Sequence, residues 1–469
     1  MWSRRDPEAS AVARQAAALL AVASLALFAA CGESSDSAEQ TETPTAASVQ
    51  ESQPPTAPPT PVAARQPAST STAESTPAPT VAKPQEPAPT PQTGQVPSRD
   101  ELIRQCSNGV AVPDPQATPG LARDCAVLLA VRDTLAGETA LNWDADRFID
   151  DWYGVVVGGW PWRVIELDLA SYELTGVIPA GLAELIDLRV LNLWNNKLTG
   201  SIPTELGALV NLKELSLGNN RLTGSIPPVL GDLSNLELLA LCCNALTGTI
   251  PPELGALARL EGLYLWDNRL AGTIPPELGA LRVLVDLSLE GNQLTGPIPS
   301  ELGGLANLRR MDFCCNELTG AIPRELGTLV ELEGLYLLGN QLSGLIPPEL
   351  AALTRLEDLN LGSNRLVGTI PPDLGALTRL RTLNLSDNAL TGSIPLELSA
   401  LSDLHSLVLA SNQLTGSIPS WLGSLPGLHV VDLHDNRFTG RVPSELDRHE
   451  NLQVLNLRDN QLTGEIPHR

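Results

Sequence analysis

Seven side chains in the middle of the sequence are of the types that bind ligands. Trp194, Tyr264, Trp266 and Tyr336 offer large aromatic surfaces, and Glu290, Arg310 and Asp312 among them offer charge. Only 3% of the residues are aromatic, yet these four fall at two recurring places that alternation turns away from the core. Large aromatics exposed on a rigid surface mark recognition sites. The pattern therefore predicts a ligand centred on the fourth to eighth of a series of repeating units. A second reading weighs as much: aromatics favour strands and pack on one another across a sheet.

Other reactive types point to no reaction. Cys242-Cys243 and Cys314-Cys315 hold identical places in units three apart, ~14 Å from each other at the spacing of strands, too far to bridge. Each pair either closes a strained vicinal disulfide or stays reduced as small filler, and no Cys-x-x-Cys spacing suggests zinc. His405 and His429 share a place one unit apart and should stack, with Asp432 and His434 nearby; the expectation is a solvated face, not a metal site. No serine or cysteine nucleophile has a partner histidine, and no glycine loop cradles phosphate. Glu205, Glu253 and Glu277 recur only because their turn recurs. The chain reads as a non-enzyme, with no cofactor and no metal.

All these residues are positioned by a period of 24 residues running over 164–469. Asparagines keep the register from Asn196 to Asn460 without a slip, and with an earlier unit carrying Tyr172 in that place there are 13 units. One unit reads LRVLNLWNNKLTGSIPTELGALVN, Leu188 to Asn211. The pattern L-x-x-L-x-L-x-x-N-x-L at a fixed period marks a leucine-rich-repeat solenoid. Its L-x-L run, as in Leu191-Asn192-Leu193, is a short strand with one buried face. No unit buries its leucines alone, so units stack on a shared core. The asparagine is then a buried amide that must bond backbone groups of its own and adjacent turns. Gly200 gives the turn after Leu198-Thr199 its freedom, and Pro203 adds a fixed φ with no N–H to satisfy. Glu205 to Leu209 reads as a short helical turn ended by Gly207.

The run L-T-G-x-I-P-x-x-L-G-x-L resembles the plant-type leucine-rich repeat of plant receptor ectodomains and polygalacturonase-inhibiting proteins, over about two-thirds of the chain. The resemblance implies an α/β fold: a right-handed superhelical solenoid with a parallel β-sheet on its concave face and a helical N-terminal cap. It also implies a scaffold whose inner face binds peptides, proteins or other extracellular ligands. It names no ligand.

Residues 1–31 read as a targeting signal. Arg4, Arg5 and Arg14 precede an apolar run from Ala16 to Ala30, too short for a comfortable membrane span. The run ends Leu27-Phe28-Ala29-Ala30-Cys31-Gly32, which resembles the lipobox of bacterial lipoproteins and implies lipidation of Cys31. Phe28 stands where leucine is more usual; an ordinary secretory signal cut near Ala30 is the alternative. Residues 32–97, rich in Pro, Thr, Ala and Ser, cannot bury enough apolar surface to order themselves. They read as a disordered linker with a reach of roughly 200 Å.

Residues 98–163 read as the cap. Ser98 and Glu101 form a capping box, and Thr118-Pro119 opens a second helix that Gly137 ends. The stretch from Leu141 to Leu169, with Trp143 and Trp152-Tyr153-Gly154-Val155, resembles the cap of plant leucine-rich-repeat proteins. There, paired cysteines usually flank the Trp-x-Gly-Val segment; here Asp150 and Val157 hold those places. Cys106 and Cys125 are expected to supply a different bridge in an exported chain, contributing ~3 kcal/mol by closing a loop of about 20 residues.

Thirty Lys and Arg against 54 Asp and Glu leave a net charge of −24, with no basic stripe to meet nucleic acid. The sequence stops inside the last unit without a polar cap. Leu455, Leu457, Leu462 and Ile466 are therefore expected to be poorly covered, so that the end frays or docks end to end on another chain. The resulting expectation is an exported protein, lipid-anchored to a bacterial cell envelope at the outer membrane or cell surface. Its concave face would recognise an extracellular protein, peptide or polysaccharide. The competing readings are an adhesive or structural envelope protein without a single ligand, and an inhibitor of a secreted hydrolase.

Overall fold

The computed structural model describes residues 98–108, 111–112, 114–136 and 140–464. The signal with Cys31, the linker, Gly137 and Ile466 lie outside them. Among the described residues no helix is long and apolar enough to cross a membrane.

The first unit opens with a six-residue strand and each later unit with a three-residue one, and these, with one strand of the cap, build one 14-stranded sheet. Its first two strands, β1 (Val155–Gly158) and β2 (Arg163–Asp168), are antiparallel; every later pairing is parallel. The register follows the period: Leu167 faces Leu191, which faces Leu215, and so along the array. The reason is the leucine in the middle of each strand. Leu260, Leu263, Leu265, Leu270, Leu278 and Leu281 of one unit are all 0% exposed, because neighbouring units complete the shell around them. Each is worth about 1.5–3 kcal/mol in burial, and a slip of one residue would turn every strand leucine to solvent. This is the leucine-rich-repeat solenoid that the sequence predicts.

The asparagines behave as expected. Asn316 donates through Nδ2 to the carbonyls of Leu289, Phe313 and Cys314 at 3.0, 3.2 and 3.1 Å, and its Oδ1 accepts from Leu294 N at 3.0 Å. The same set recurs from Asn196 to Asn460. Each amide thus ties its own turn to the preceding one.

Two local readings need correction. The Leu-Thr-Gly segments are not merely turns: from Ala271–Thr273 to Gln413–Leu414 they form a second, seven-stranded parallel sheet. Their glycines take φ near +80°, as at Gly200, which explains the residue type. Gly207 does not end its turn. It lies inside the 3-10 turn Thr204–Ala208, which Leu209 closes. Its absence of a side chain answers a neighbour instead: a Cβ there would stand 2.8 Å from the carbonyl oxygen of Val229 in the next unit, and at Gly255 2.4 Å from that of Glu277. Ala183, Ala351, Ser399 and Asp447 hold the same place in four units, and nothing in the structure explains why these tolerate a side chain.

The cap comprises α1 (Arg99–Asn108) and α2 (Pro119–Ala136), joined by the expected Cys106–Cys125 disulfide. Trp143 and Trp152 stack beneath them, with ring centroids 6.0 Å apart. Asp124 of α2, 1% exposed, accepts from Arg163 Nε and Nη2 at 2.8 Å each and from Val164 N at 2.9 Å; Arg163 also pairs with Asp187 of the first unit. Where the resemblance places a disulfide, Asp150 Oδ1 accepts a hydrogen bond from Val157 N at 3.2 Å. At the other end Leu455 and Leu457 are buried and Leu462 half-buried, contrary to the expectation of poor cover. They join the same continuous core as the units before them, so the argument for end-to-end docking loses that support.

Candidate functional site

The middle strands carry a constellation on the face of the 14-stranded sheet that turns from the core. It spans strands Gly262–Tyr264, Asp286–Ser288, Arg310–Asp312, Gly334–Tyr336 and Asp358–Asn360, consecutive in the sheet. Alternation places Tyr264, Asp286, Glu290, Arg310, Asp312, Tyr336 and Asp358 together there.

The aromatics occupy the expected face but are not the exposed platforms the sequence suggests. Tyr264 is 5% and Trp266 8% exposed; Trp194 and Tyr336 are half-buried. The rings lie down because glycines leave room for them. A Cβ at Gly262 would stand 2.7 Å from Cε2 of Tyr264, one at Gly334 2.6 Å from Cε2 of Tyr336, and one at Gly218 2.1 Å from Cζ3 of Trp194. Flattened in this way, Tyr336 donates its hydroxyl to Asp358 Oδ2 at 3.0 Å. Tyr264 and Asp286 hold the equivalent places, and burial followed by that carboxylate pushes the Tyr264 hydroxyl pKa up.

Arg310 sits at the centre. Its guanidinium lies 4.7 Å from the centroid of the Tyr336 ring and donates to Asp312 Oδ2 at 2.8 Å. Asp312 is fully buried, and its other oxygen accepts from Cys314 N at 3.2 Å. Asp286 and Glu290 are less well served. Oδ1 of Asp286 is buried without a hydrogen-bond partner. Burial pushes the Asp286 carboxyl up to about 6, against the pull of Arg310 and Tyr264. Burial, with Asp312 and Asp267 adding repulsion against Arg310, pushes Glu290 up to about 7.

The structure thus brings together Tyr264, Glu290, Arg310, Asp312 and Tyr336, with Trp266 on the strand next to Glu290. Trp194 stands apart, separated by the two strands Glu214–Ser216 and Leu238–Ala240, whose residues are all buried. Neither cysteine pair forms a disulfide, and Cys242 and Cys314 are buried. The His405 and His429 rings stack as expected, centroids 5.4 Å apart and 6° from parallel.

Sequence reasoning missed Asp286, Asp358 and the glycines. Their signal was present: Glu261-Gly262-Leu263-Tyr264-Leu265 recurs word for word as Glu333-Gly334-Leu335-Tyr336-Leu337, each followed one unit later by aspartate in the glycine's column. It also passed over the cap, where Trp160 is 79% and Trp162 47% exposed beside an apolar groove of about 320 Å³ lined with Phe148 and Val157.

Family models agree with this architecture. Those described as leucine rich repeat match residues 186–228, 210–270, 283–305, 331–353, 355–377, 379–401 and 402–462. Among solved structures, that of PEPR1 with AtPEP1 is similar at 34% identity and a TM-score of 0.66, over 74% of this chain and 53% of that one. A TDR receptor is similar at 36% identity and a TM-score of 0.62, over 64% and 52%. The chain thus spans about half the length of these two. A leucine-rich-repeat protein of Leptospira interrogans is similar at 33% identity, over 63% of this chain and 84% of that one, with a TM-score of 0.49. A comparison with curated proteins returns no match.

Proposed function

Because the chain belongs to the leucine-rich-repeat family, we propose that it is a binding scaffold whose concave face recognises a peptide or a protein segment. One observation carries this reading: five consecutive strands bring charged and aromatic side chains into a single half-covered constellation around Arg310, with Asp286 left short of a partner. A surface that served packing alone would not retain a desolvated carboxylate without a partner. The likeness to PEPR1 in its structure with AtPEP1 supports the same reading.

We place the scaffold outside the cytoplasm, anchored through a lipid on Cys31. The basic, apolar and small-residue order before Cys31 supports this, as does the Cys106–Cys125 disulfide, a bond of oxidising compartments. Membrane partition unchanged by Cys31→Ala would count against the anchor.

The test is a binding screen of the full-length protein against peptides, surface proteins and envelope polysaccharides, repeated with Arg310→Ala and Tyr336→Ala. A ligand retained by the parent and lost by variants that still melt cooperatively establishes recognition by this face. Retention by all three places recognition elsewhere. A second reading, an adhesive or structural envelope protein, draws on the burial of Tyr264 and Trp266. It gains if no discrete ligand is found.

A further inference from the structure

We propose that the cap holds a second binding site, independent of the concave face, for a small quaternary ammonium cation of the choline type. The site is the groove between the turn that joins β1 to β2 and the segment that joins α1 to α2.

The inference begins with three aromatic residues that the core does not use. Trp160 and Trp162 stand in the turn between β1 and β2, and Phe148 precedes the 3-10 turn Ile149–Asp151. All three are exposed, Trp160 more than any other large apolar residue among those described. They wall a groove of about 320 Å³, a volume at the lower end of small-molecule sites. Its floor is apolar and fixed. Leu121 and Ile149 are buried, Val157 is half-buried, and Ile149 N donates to Ala111 O at 3.1 Å. Large apolar rings left in water around a concave surface mark a place where a ligand completes the packing.

The charges say what kind of ligand. Asp114 and Asp150 line the groove and are exposed, and no lysine or arginine lines it. Neither carboxylate joins an ion pair among the described residues. Each is held by one backbone bond: Asp114 Oδ1 accepts from Ala117 N at 3.1 Å, and Asp150 Oδ1 from Val157 N at 3.2 Å. Arg163, beside Trp162 in sequence, is committed to Asp124 and Asp187. Aromatic walls with carboxylates beside them complement a cation that has an apolar surface.

A quaternary ammonium meets these terms better than a lysine or an arginine side chain. Its methyl groups spread the charge over an apolar surface and present no N–H. An ammonium or a guanidinium would bring several donors to a floor of Leu121, Ile149 and Val157, which has no side-chain acceptor. A betaine or a phosphocholine would bring an anion against two carboxylates. The ligand is therefore a lone cation, free choline or a compound of its type.

The probes are choline, its uncharged carbon isostere 3,3-dimethylbutanol, phosphocholine and ammonium, titrated calorimetrically into the full-length protein at neutral pH. The proposal expects one equivalent of choline to bind saturably, with a change in tryptophan fluorescence, and the other three to bind about tenfold more weakly or worse. Trp160→Ala with Trp162→Ala, at exposed positions, should weaken choline about tenfold or more and leave the melting temperature unchanged. Asp114→Asn with Asp150→Asn keeps an acceptor for each backbone bond and removes only the charge. It should weaken choline several-fold and leave the isostere unaffected. Glu253→Gln with Glu277→Gln, in the array, should change nothing. If that pair weakens choline as much as the asparagine pair does, the chain's overall charge is responsible and the proposal falls. Equal binding of choline and its isostere would overturn the cation, and equal binding of phosphocholine would overturn the choice of a lone one. Retention of choline by the tryptophan variant, or no saturable binding of choline by the parent, would overturn the site. If the double tryptophan variant fails to fold, Trp160→Ala alone decides. The concave face is untouched by all these outcomes, since its own test is the screen with Arg310→Ala and Tyr336→Ala.

Discussion

The hydroxyl of Tyr336 donates to Asp358 of the adjacent strand at 3.0 Å, and three units earlier Tyr264 and Asp286 hold the equivalent positions. In both, a glycine two residues before the tyrosine lets the ring lie flat. Gly334→Ala should therefore lift the Tyr336 ring, since the new Cβ would stand 2.6 Å from Cε2. The expected cost is about 1–3 kcal/mol from overpacking. Urea unfolding reads the stability, and quenching of tyrosine fluorescence reads the newly exposed ring. Unchanged stability and quenching would refute the pairing.

The raised carboxyls of Asp286 and Glu290 make a signed prediction. Their folded-state pKa values, about 6 and about 7, lie above those of an unfolded chain, so folding favours the protonated forms. The stability they contribute is full below about pH 4 and is lost as pH rises through 6 to 7. Asp286→Asn with Glu290→Gln should flatten this fall between pH 5 and 8, by an amount on the order of 1–3 kcal/mol. The measurement is the midpoint of urea unfolding at both pH values, parent against variant. Equal slopes would show that the shifts do not exist.

Asn316→Ala should cost more than Asn460→Ala. The first leaves the buried Leu294 amide without its acceptor and takes one of two donors from each of the Leu289, Phe313 and Cys314 carbonyls in mid-array; the second acts in the last described unit, where Arg458 is exposed and water can replace the lost bonds. An unsatisfied buried group costs ~1–3 kcal/mol, so a loss of that order is expected at Asn316. Equal losses would mean that the ladder is not supported from both sides.

Cys243 and Cys315 adopt φ of +55° and +56°, a left-handed conformation that asparagine, aspartate, serine or glycine holds in most other units. Cys243→Asn should therefore stabilise the fold by ~0.5–1 kcal/mol, because asparagine tolerates that region better. A melting temperature lowered by the substitution would show that the thiol contributes more than the strain costs.

Asp124 ties α2 to β2 through two bonds from Arg163 and one from Val164 N. Asp124→Ala leaves Arg163 short of its buried partner and should cost ~3–5 kcal/mol. The loss should concentrate in the cap, visible as faster amide exchange along α2 while strands near Leu335 stay protected. Uniform loss along the chain would contradict this.

What the sequence by itself determined is whatever repeats. A 24-residue period allows one register, and strand parity then places Leu263 inside and Tyr264 outside. The asparagine, always beside the same backbone groups, could be assigned its bonds before any coordinates. What only the tertiary structure decided lies between units. Whether Tyr264 stands up or lies down depends on the absence of a side chain at Gly262, a contact that alternation alone does not predict. Why Gly207 is glycine depends on a carbonyl of the next unit, not on its own turn. Whether Arg310 is free for a ligand depends on Asp312 and Tyr336, which parity places nearby without fixing the direction of a long side chain. Periodicity fixes position along the array; burial and partner choice arise from side chains competing for the same space across neighbouring strands.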